Sequence, residues 1–556
     1  MSKEIQPAQR RHPQDTCHET LLDASGPGDK AKAKHDRIRH VLLNLLPAEH
    51  DLHTILESTT AWWDSWRLLF PEISVSKEEK TLKNHILGAL KEESPVSIAR
   101  GLICLGICFR QTRPGADNSS LYFSRSPKDT LVYYLSVVDQ HIIADDEYAG
   151  SCDGLELIVL VAKTHVNLGH PRKGWLLLRR GVAIAQLIGL HPDRTLMAEK
   201  PDASTERREN TWWSLYMVDR YISLLLGLPY ALSDGPVVKE AVEKCIDPTG
   251  RYQRKIAMIV GDIIDRNQVS SGPSLPLTLE IDQNLENVAR IMSDDWWDIE
   301  SARSSQTISV EESFCRKGTQ LWHFQTKAFL HLPFMLQSAT DRRYEYNRYA
   351  CLDAARQMLH RYHLFRLDDK GPYFICKIMD FQVFNAVVLL LLGLLGYGGT
   401  SAPRDAEDGD LKLIETTLSI LRGASNAEPD DAMLSQAVEA IETLAAFRSE
   451  NAAGDERRSG KNCRIVIPYF GTINISPGSR FLASKIRNGS LDNPSHGNPI
   501  LVGGLQPTPP SDISSVMPNL DLDPNAPFEF PHIDIDWSSI VNMDLDQNWD
   551  WNQLGI

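Results

Sequence analysis

Asp219 and the arginines within reach of it are the residues whose placement most needs a chemical explanation. Trp212, Leu215, Tyr216, Asp219 and Ile222 recur at helical spacing and share one face. A carboxylate on an otherwise apolar stripe costs several kcal/mol unless it is paired. Asp219 is therefore expected to meet an arginine, either its neighbour Arg220 or one from another helix, Arg179 or Arg180. The chemistry is a structural ion pair in a helical core, with ligand sensing as the alternative. Cys104 and Cys108 in LICLGICF lie four residues apart among apolar neighbours and read as core thiols. His360 and His363 lack a third ligand nearby and read as surface or packing histidines. Phosphate-loop, dinucleotide, zinc-protease and serine-hydrolase motifs do not occur, and acidic runs such as RDAEDGD are explained by solvation. No catalytic, cofactor-binding or metal-binding residue is expected, and the chain does not read as an enzyme.

The segment that must position Asp219 runs from Arg207 to Pro229, RRENTWWSLYMVDRYISLLLGLP. Thr205 and Glu206 ahead of it offer an N-cap and a first-turn carboxylate. Gly227 and Pro229 close it in the Gly-then-Pro order of a helix end. Upstream, Gly181, Ala185 and Gly189 make a small-residue row at four-residue spacing, which lets a neighbouring helix approach closely. Trp-Trp pairs at 62–63, 212–213 and 296–297 read as large core anchors.

The 556 residues are 42 % hydrophobic and 24 % charged, enough for a sizeable core. Nine scattered cysteines fit a reducing compartment. The first fifteen residues lack the apolar stretch of a secretion signal, and the apolar run Ala386 to Tyr397 is too short to span a bilayer. No membrane partner is expected. The net charge of −15 argues against broad nucleic-acid binding by the bulk of the chain. Residues 1–40 read as a disordered polar lead-in ending in the basic stretch DKAKAKHDRIRH, where Lys30, Lys32, Lys34, Arg37 and Arg39 suit a linker, an import signal or a phosphate-contacting arm. An all-α, bundle-like body covers 41–446, broken by loops at 268–276, 398–410 and 423–431. A polar linker at 447–487 contains an apolar interlude, Ile465 to Ile475, that offers a strand pair.

The twin arginines Arg207 and Arg208, the Trp212–Trp213 pair, Asp219–Arg220, and Gly227 with Pro229 together closely resemble the signature of the fungal-specific transcription factor domain. That domain is the helical regulatory region downstream of binuclear zinc clusters. LNLLPAEHDLHTIL with WWDSWRLLFPEI, GWLLLRRGVAIAQLIGLHPD, AFLHLPFML and CLDAARQMLHRYHLFR extend the resemblance over roughly 43–400. Single blocks are weakly specific; their order and spacing are strong. Full members open with six cysteines that hold two zinc ions, whereas Cys17 is the only cysteine here before Cys104. Zinc is thus implied as a cofactor only if such a cluster lies upstream of this sequence. Two readings stay open: a regulator without the cluster, or a cluster outside the sequence read.

Residues 488–556 read as disordered, and their final part alternates carboxylates with Phe528, Phe530, Trp537, Trp549, Trp551 and aliphatic side chains. After Arg487 there are ten acidic residues and no lysine or arginine. This is the composition of an acidic activation segment whose aromatic residues insert into coactivator grooves; a tail packed back on the body is the alternative. The resemblance implies a nuclear regulator of RNA polymerase II genes, commonly in specialised-metabolism clusters. It implies coactivators or the transcription machinery as partners, a small-molecule effector, and a homodimer or DNA-bound partner, with promoter DNA left open. The alternative is a cluster-less co-regulator acting through protein contacts alone.

Overall fold

The computed structural model describes residues 27–63, 70, 73, 81–111, 125–190, 203–269, 272–298, 308–338, 341–366, 376–395, 404–427, 432–453, 463–467 and 471–475. Among them are eighteen α-helices and one antiparallel hairpin. The helices that frame the site are α4 (Pro95–Arg110), α7 (Cys152–Asn167), α8 (Pro171–Leu187), α9 (Ala203–Leu226) and α11 (Pro248–Asn267). They are preceded by α1 (Pro27–Leu43), α2 (Glu49–Thr59) and α3 (Leu82–Lys91), with α5 (Pro127–Val138) and α6 (Asp146–Ala149) between α4 and α7. Helix α10 (Pro236–Glu243) links α9 to α11. The remainder is α12 (Leu275–Ala289), α13 (Asp294–Trp297), α14 (Val310–Met335), α15 (Glu345–Arg366), α16 (Lys377–Leu394), α17 (Arg404–Ala427) and α18 (Ala432–Ala453).

Local chemistry starts and stops these helices. Ser94, Ser126 and Asp247 each cap a helix whose first residue is proline: the side chain accepts from Ser97 N, Asp129 N, and Thr249 and Gly250 N respectively. Helices α7, α8 and α9 end the same way, with Gly169, Gly189 and Gly227 at φ of 88°, 69° and 65°. The next residue's amide then donates back to the carbonyls of His165, Ala185 and Ser223. One continuous apolar core runs from Ile38 through Leu444.

Several boundaries differ from the sequence expectation. Helix α1 takes in the basic stretch assigned to the lead-in: Ile38 and Leu42 are buried, and Lys34 pairs with Asp145 (2.5 Å) and Glu147 (2.9 Å). The apolar side of that stretch packs, so only residues 1–26 fall outside the described residues at this end. RDAEDGD is not a loop but the first turns of α17, where carboxylates complement the helix dipole, and α17 continues to Ala427. Helix α18 carries the helical body to Ala453. Helix α16 is long and apolar enough by length and composition to cross a membrane, yet it is buried on every side, with α7, α15, α17 and α18 as neighbours. The interlude forms β1 (Cys463–Ile467) and β2 (Gly471–Ile475), with Ile465 opposite Ile473.

Candidate functional site

Helix α9 begins at Ala203, so Thr205 lies within its first turn rather than capping it. The first-turn carboxylate is Glu206, as its position suggested. The two signature arginines then diverge. Arg207 Nε donates to Glu156 Oε1 (2.6 Å), and its NH2 reaches Glu156 Oε2 and Asp153 Oδ1. Arg100 on α4 contacts the same two carboxylates at 3.2 and 3.1 Å. Glu156 is 2 % exposed and Arg100 8 %, so this lattice welds α4, α7 and α9 from inside. Burial pushes the Asp153 carboxyl up, but the Arg207 hydrogen bond and charge, with Arg100, outweigh it and hold it below its usual range. Arg208 turns the other way and donates to the carbonyls of Gly189 (3.1 Å) and Ile188 (3.4 Å), satisfying the end of α8.

Trp212 and Trp213 are both buried. Trp213 Nε1 donates to Glu209 (3.2 Å), its ring stands edge-on to Tyr216, and the Arg254 guanidinium lies 4.2 Å above it. Of the small-residue row, Gly181 makes the expected close approach, with a Cβ there 3.2 Å from both Ile158 and Leu215, whereas a Cβ at Gly189 would meet nothing within 4 Å.

The pairing of Asp219 and Arg220 is redistributed. Arg179 is the arginine that reaches Asp219, at 3.9 Å, while Arg180 pairs with Asp146 (2.9 Å). The nearer partner of Asp219 is the backbone: its Oδ2 accepts from Ala231 N at 2.7 Å, tying the turn beyond Pro229 back to the helix. Burial raises the Asp219 carboxyl above its ordinary range against these contacts. Arg220, with no exposed surface, lies 3.7 Å from the Tyr216 ring and 4.4 Å from Tyr230, and it pairs with Asp234. Gly261 makes room for it, since a Cβ there would stand 3.1 Å from Arg220 Nε. The Pro229 carbonyl accepts from Ser223 Oγ (3.3 Å) and from Arg179.

The structure therefore gathers Arg207, Arg208, Trp212, Trp213, Asp219, Arg220, Gly227 and Pro229 along one helix and its end; the charged residues and Trp213 contact neighbouring elements, and Trp212 is buried in the core. Sequence reasoning missed their partners Arg100, Asp153, Glu156, Asp234 and Arg254. Two carboxylates three residues apart at the start of the apolar CDGLELIVLVAKTHVN were the available signal. Cys104 and Cys108 are wholly buried, and burial pushes the Cys108 thiol up to about 12. His363 bonds Thr417 Oγ1 at 2.8 Å and His360 is exposed. Trp62 and Trp63 are core, but Trp296 and Trp297 are only half-buried, because the four-residue helix that carries them lies on the surface of α11 and α14. Among the described residues no group of three or more His, Cys, Asp or Glu side chains is placed to hold a metal ion. A small cavity lined by Ile107, Arg110, Leu131, Lys163 and Thr164 has room for about one water molecule. Phe528, Phe530, Trp537, Trp549 and Trp551 lie outside the described residues.

Comparison with known proteins agrees with this placement. Residues 99–235, from within α4 to the turn after α9, match the fungal specific transcription factor domain. Over 400 residues the chain is 28 % identical to the transcription factor sdnS of Sordaria araneosa, covering 69 % of this chain and 52 % of that protein. It is 26 % identical over 477 residues to the dehydrocurvularin biosynthesis regulator of Alternaria cinerariae, with 80 % and 61 % covered. The regulator of the same name from Aspergillus terreus is 25 % identical over 528 residues, with 89 % and 72 % covered. The chain thus spans little more than half the length of the first two relatives. Residues 99–235, carried by α4 through α9, are thus similar to the fungal specific transcription factor domain.

Proposed function

We propose that this protein regulates transcription by RNA polymerase II in the nucleus, with the genes of a specialised-metabolism cluster as its targets, and that it is not an enzyme. The observation that carries this reading is the signature helix itself. Every charged or aromatic signature residue in α9 is spent on holding helices together, inside a domain whose relatives are named as transcription factors and biosynthesis regulators. In this reading the body is a rigid platform and residues 488–556 recruit coactivators through Phe528, Phe530, Trp537, Trp549 and Trp551, which their carboxylate-rich surroundings keep solvated. Fusing 488–556 to an unrelated DNA-binding domain should activate a reporter, and replacing the three tryptophans by alanine should remove most of that output. Background output from a well-expressed fusion would reject the tail's role.

The direct test of the whole reading is removal of the chain from a fungal host that carries it. Transcripts of one contiguous set of biosynthetic genes should then change together; an unaltered transcriptome would overturn the proposal. The route to DNA has two forms, a zinc cluster outside this sequence or a DNA-bound partner. The second draws on the acidic net charge of −15 and on the commitment of Lys34, in the basic stretch, to Asp145 and Glu147. Salt-sensitive, sequence-selective binding of promoter DNA by the purified chain would favour direct contact and reject the partner form.

A further inference from the structure

Two deeply buried arginines in this fold, Arg100 and Arg220, and the partly buried Arg366 each face a carboxylate: Glu156, Asp234 and Asp380. Arg266, 1 % exposed, instead uses all three of its nitrogens on Asn267, Thr278 and the Leu330 carbonyl. Arg316 on α14 and Arg361 on α15 follow neither pattern. They are 6 % and 3 % exposed, and no described carboxylate lies within 4 Å of either. Arg316 spends Nε on the Trp296 carbonyl (2.6 Å) and NH2 on the carbonyls of Asp295 and Asp298. Arg361 spends Nε on Gln320 (3.2 Å) and NH1 on Gln357. Each keeps one terminal nitrogen, Arg316 NH1 and Arg361 NH2, that bonds no described acceptor.

The two guanidinium groups belong to one site. Gln320 accepts from Arg361 and donates to the Trp296 carbonyl (2.5 Å), which also accepts from Arg316. Aromatic rings wall it: Phe324 lies 4.4 Å from the Arg361 guanidinium and Trp296 5.9 Å from that of Arg316. Half-buried Trp297 stands edge-on to Trp296 and Phe324. Burial brings Arg361 down to about 10, with Arg316 adding to the effect against Asp353, so the group is still charged at neutral pH. Asp295, Asp298 and Glu312, the carboxylates nearest Arg316, are exposed, where water and salt screen them. Two cations, each with one open donor nitrogen, beside flat apolar rings match an oxyanion carried on a planar ring, because each open nitrogen can give a charge-assisted hydrogen bond to a carboxylate oxygen while the rings take the apolar part.

We propose that Arg316 and Arg361, walled by Trp296, Trp297 and Phe324, form a binding site for a small aromatic acid. Its role as the effector of the domain rests on the transcriptional reading; the binding itself does not. The test uses the purified full chain with benzoate, salicylate or inorganic phosphate against chloride at equal ionic strength, followed by thermal unfolding and tryptophan fluorescence. The aromatic acids should raise the melting temperature by about 2 °C or more near saturation and change the fluorescence. Both responses should vanish in Arg316→Gln and Arg361→Gln. Trp296→Phe, which leaves both guanidinium groups in place, should keep the thermal shift and lose much of the fluorescence change, and it serves if the arginine variants do not fold. A response to phosphate but not to the aromatic acids would overturn the ligand class. No response to any anion, an equal response in the arginine variants, or an unaltered fluorescence change in Trp296→Phe would overturn the site.

Discussion

Two regions of the molecule bury arginine in opposite ways. At the start of α9, buried Arg100 and partly exposed Arg207 close on Asp153 and Glu156, and each of these four charges has a counter-charge in contact. Between α14 and α15, Arg316 and Arg361 are held by carbonyls and glutamines alone. A matched buried charge set is expensive to desolvate and still more expensive to break, so it fixes one arrangement of helices. A buried cation with open donors fixes less and leaves capacity to bind. The contrast assigns the signature region to architecture and the second region to recognition.

The largest effect that would break this contrast is at Glu156. Glu156→Ala leaves two arginines facing Asp153 alone and should cost about 3–5 kcal/mol in urea unfolding. A loss below about 1 kcal/mol would show that the lattice is not what holds α4, α7 and α9.

The next effect is a pH dependence from the second region. Burial holds His323 down at about 3 from its ordinary 6.5, and Tyr252 OH bonds its Nδ1 at 2.8 Å. The unfolded chain takes up a proton below pH 6.5 that the folded chain refuses. Stability from this group is therefore complete above that pH and falls as the pH drops toward 3, by up to about 1.4 kcal/mol per unit. His323→Gln should flatten the slope of urea-unfolding free energy between pH 6 and 4, leaving the share of His363, which burial holds at about 4. An unchanged slope would contradict the buried neutral assignment.

The smallest effect expected is at Arg361. In chloride buffer Arg361→Gln removes a buried cation that has no contacting carboxylate, so its unfolding free energy should stay within about 1 kcal/mol of the parent. A loss as large as that of Glu156→Ala would make the two regions alike.

Much of this was legible before any coordinates, and the misses have a common cause. Gly181, Gly189, Gly227 and Pro229 announced a close helix contact and helix ends because backbone geometry is local. The thiols of Cys104 and Cys108 announced their burial through their apolar neighbours. Asp219 announced that it needed a partner, but periodicity says nothing of reach across helices. Arg180 went to Asp146 and Arg220 to Asp234, and the closest donor to Asp219 is an amide. Trp296 and Trp297 looked like core anchors by composition, yet a helix of four residues has no second turn with which to bury them. Arg316 and Arg361 gave no signal at all, since an arginine's burial depends on which carbonyls and rings surround it.

The claim that this protein acts on transcription is met most directly by chromatin immunoprecipitation of the tagged full chain in a fungal host that carries it, with transcripts measured in parallel. Occupancy concentrated at the promoters of a contiguous set of biosynthetic genes, whose transcripts change when the chain is removed, is the expected result. A chain that is absent from the nucleus, or that occupies no promoter above background while the same genes continue unaltered, would contradict it.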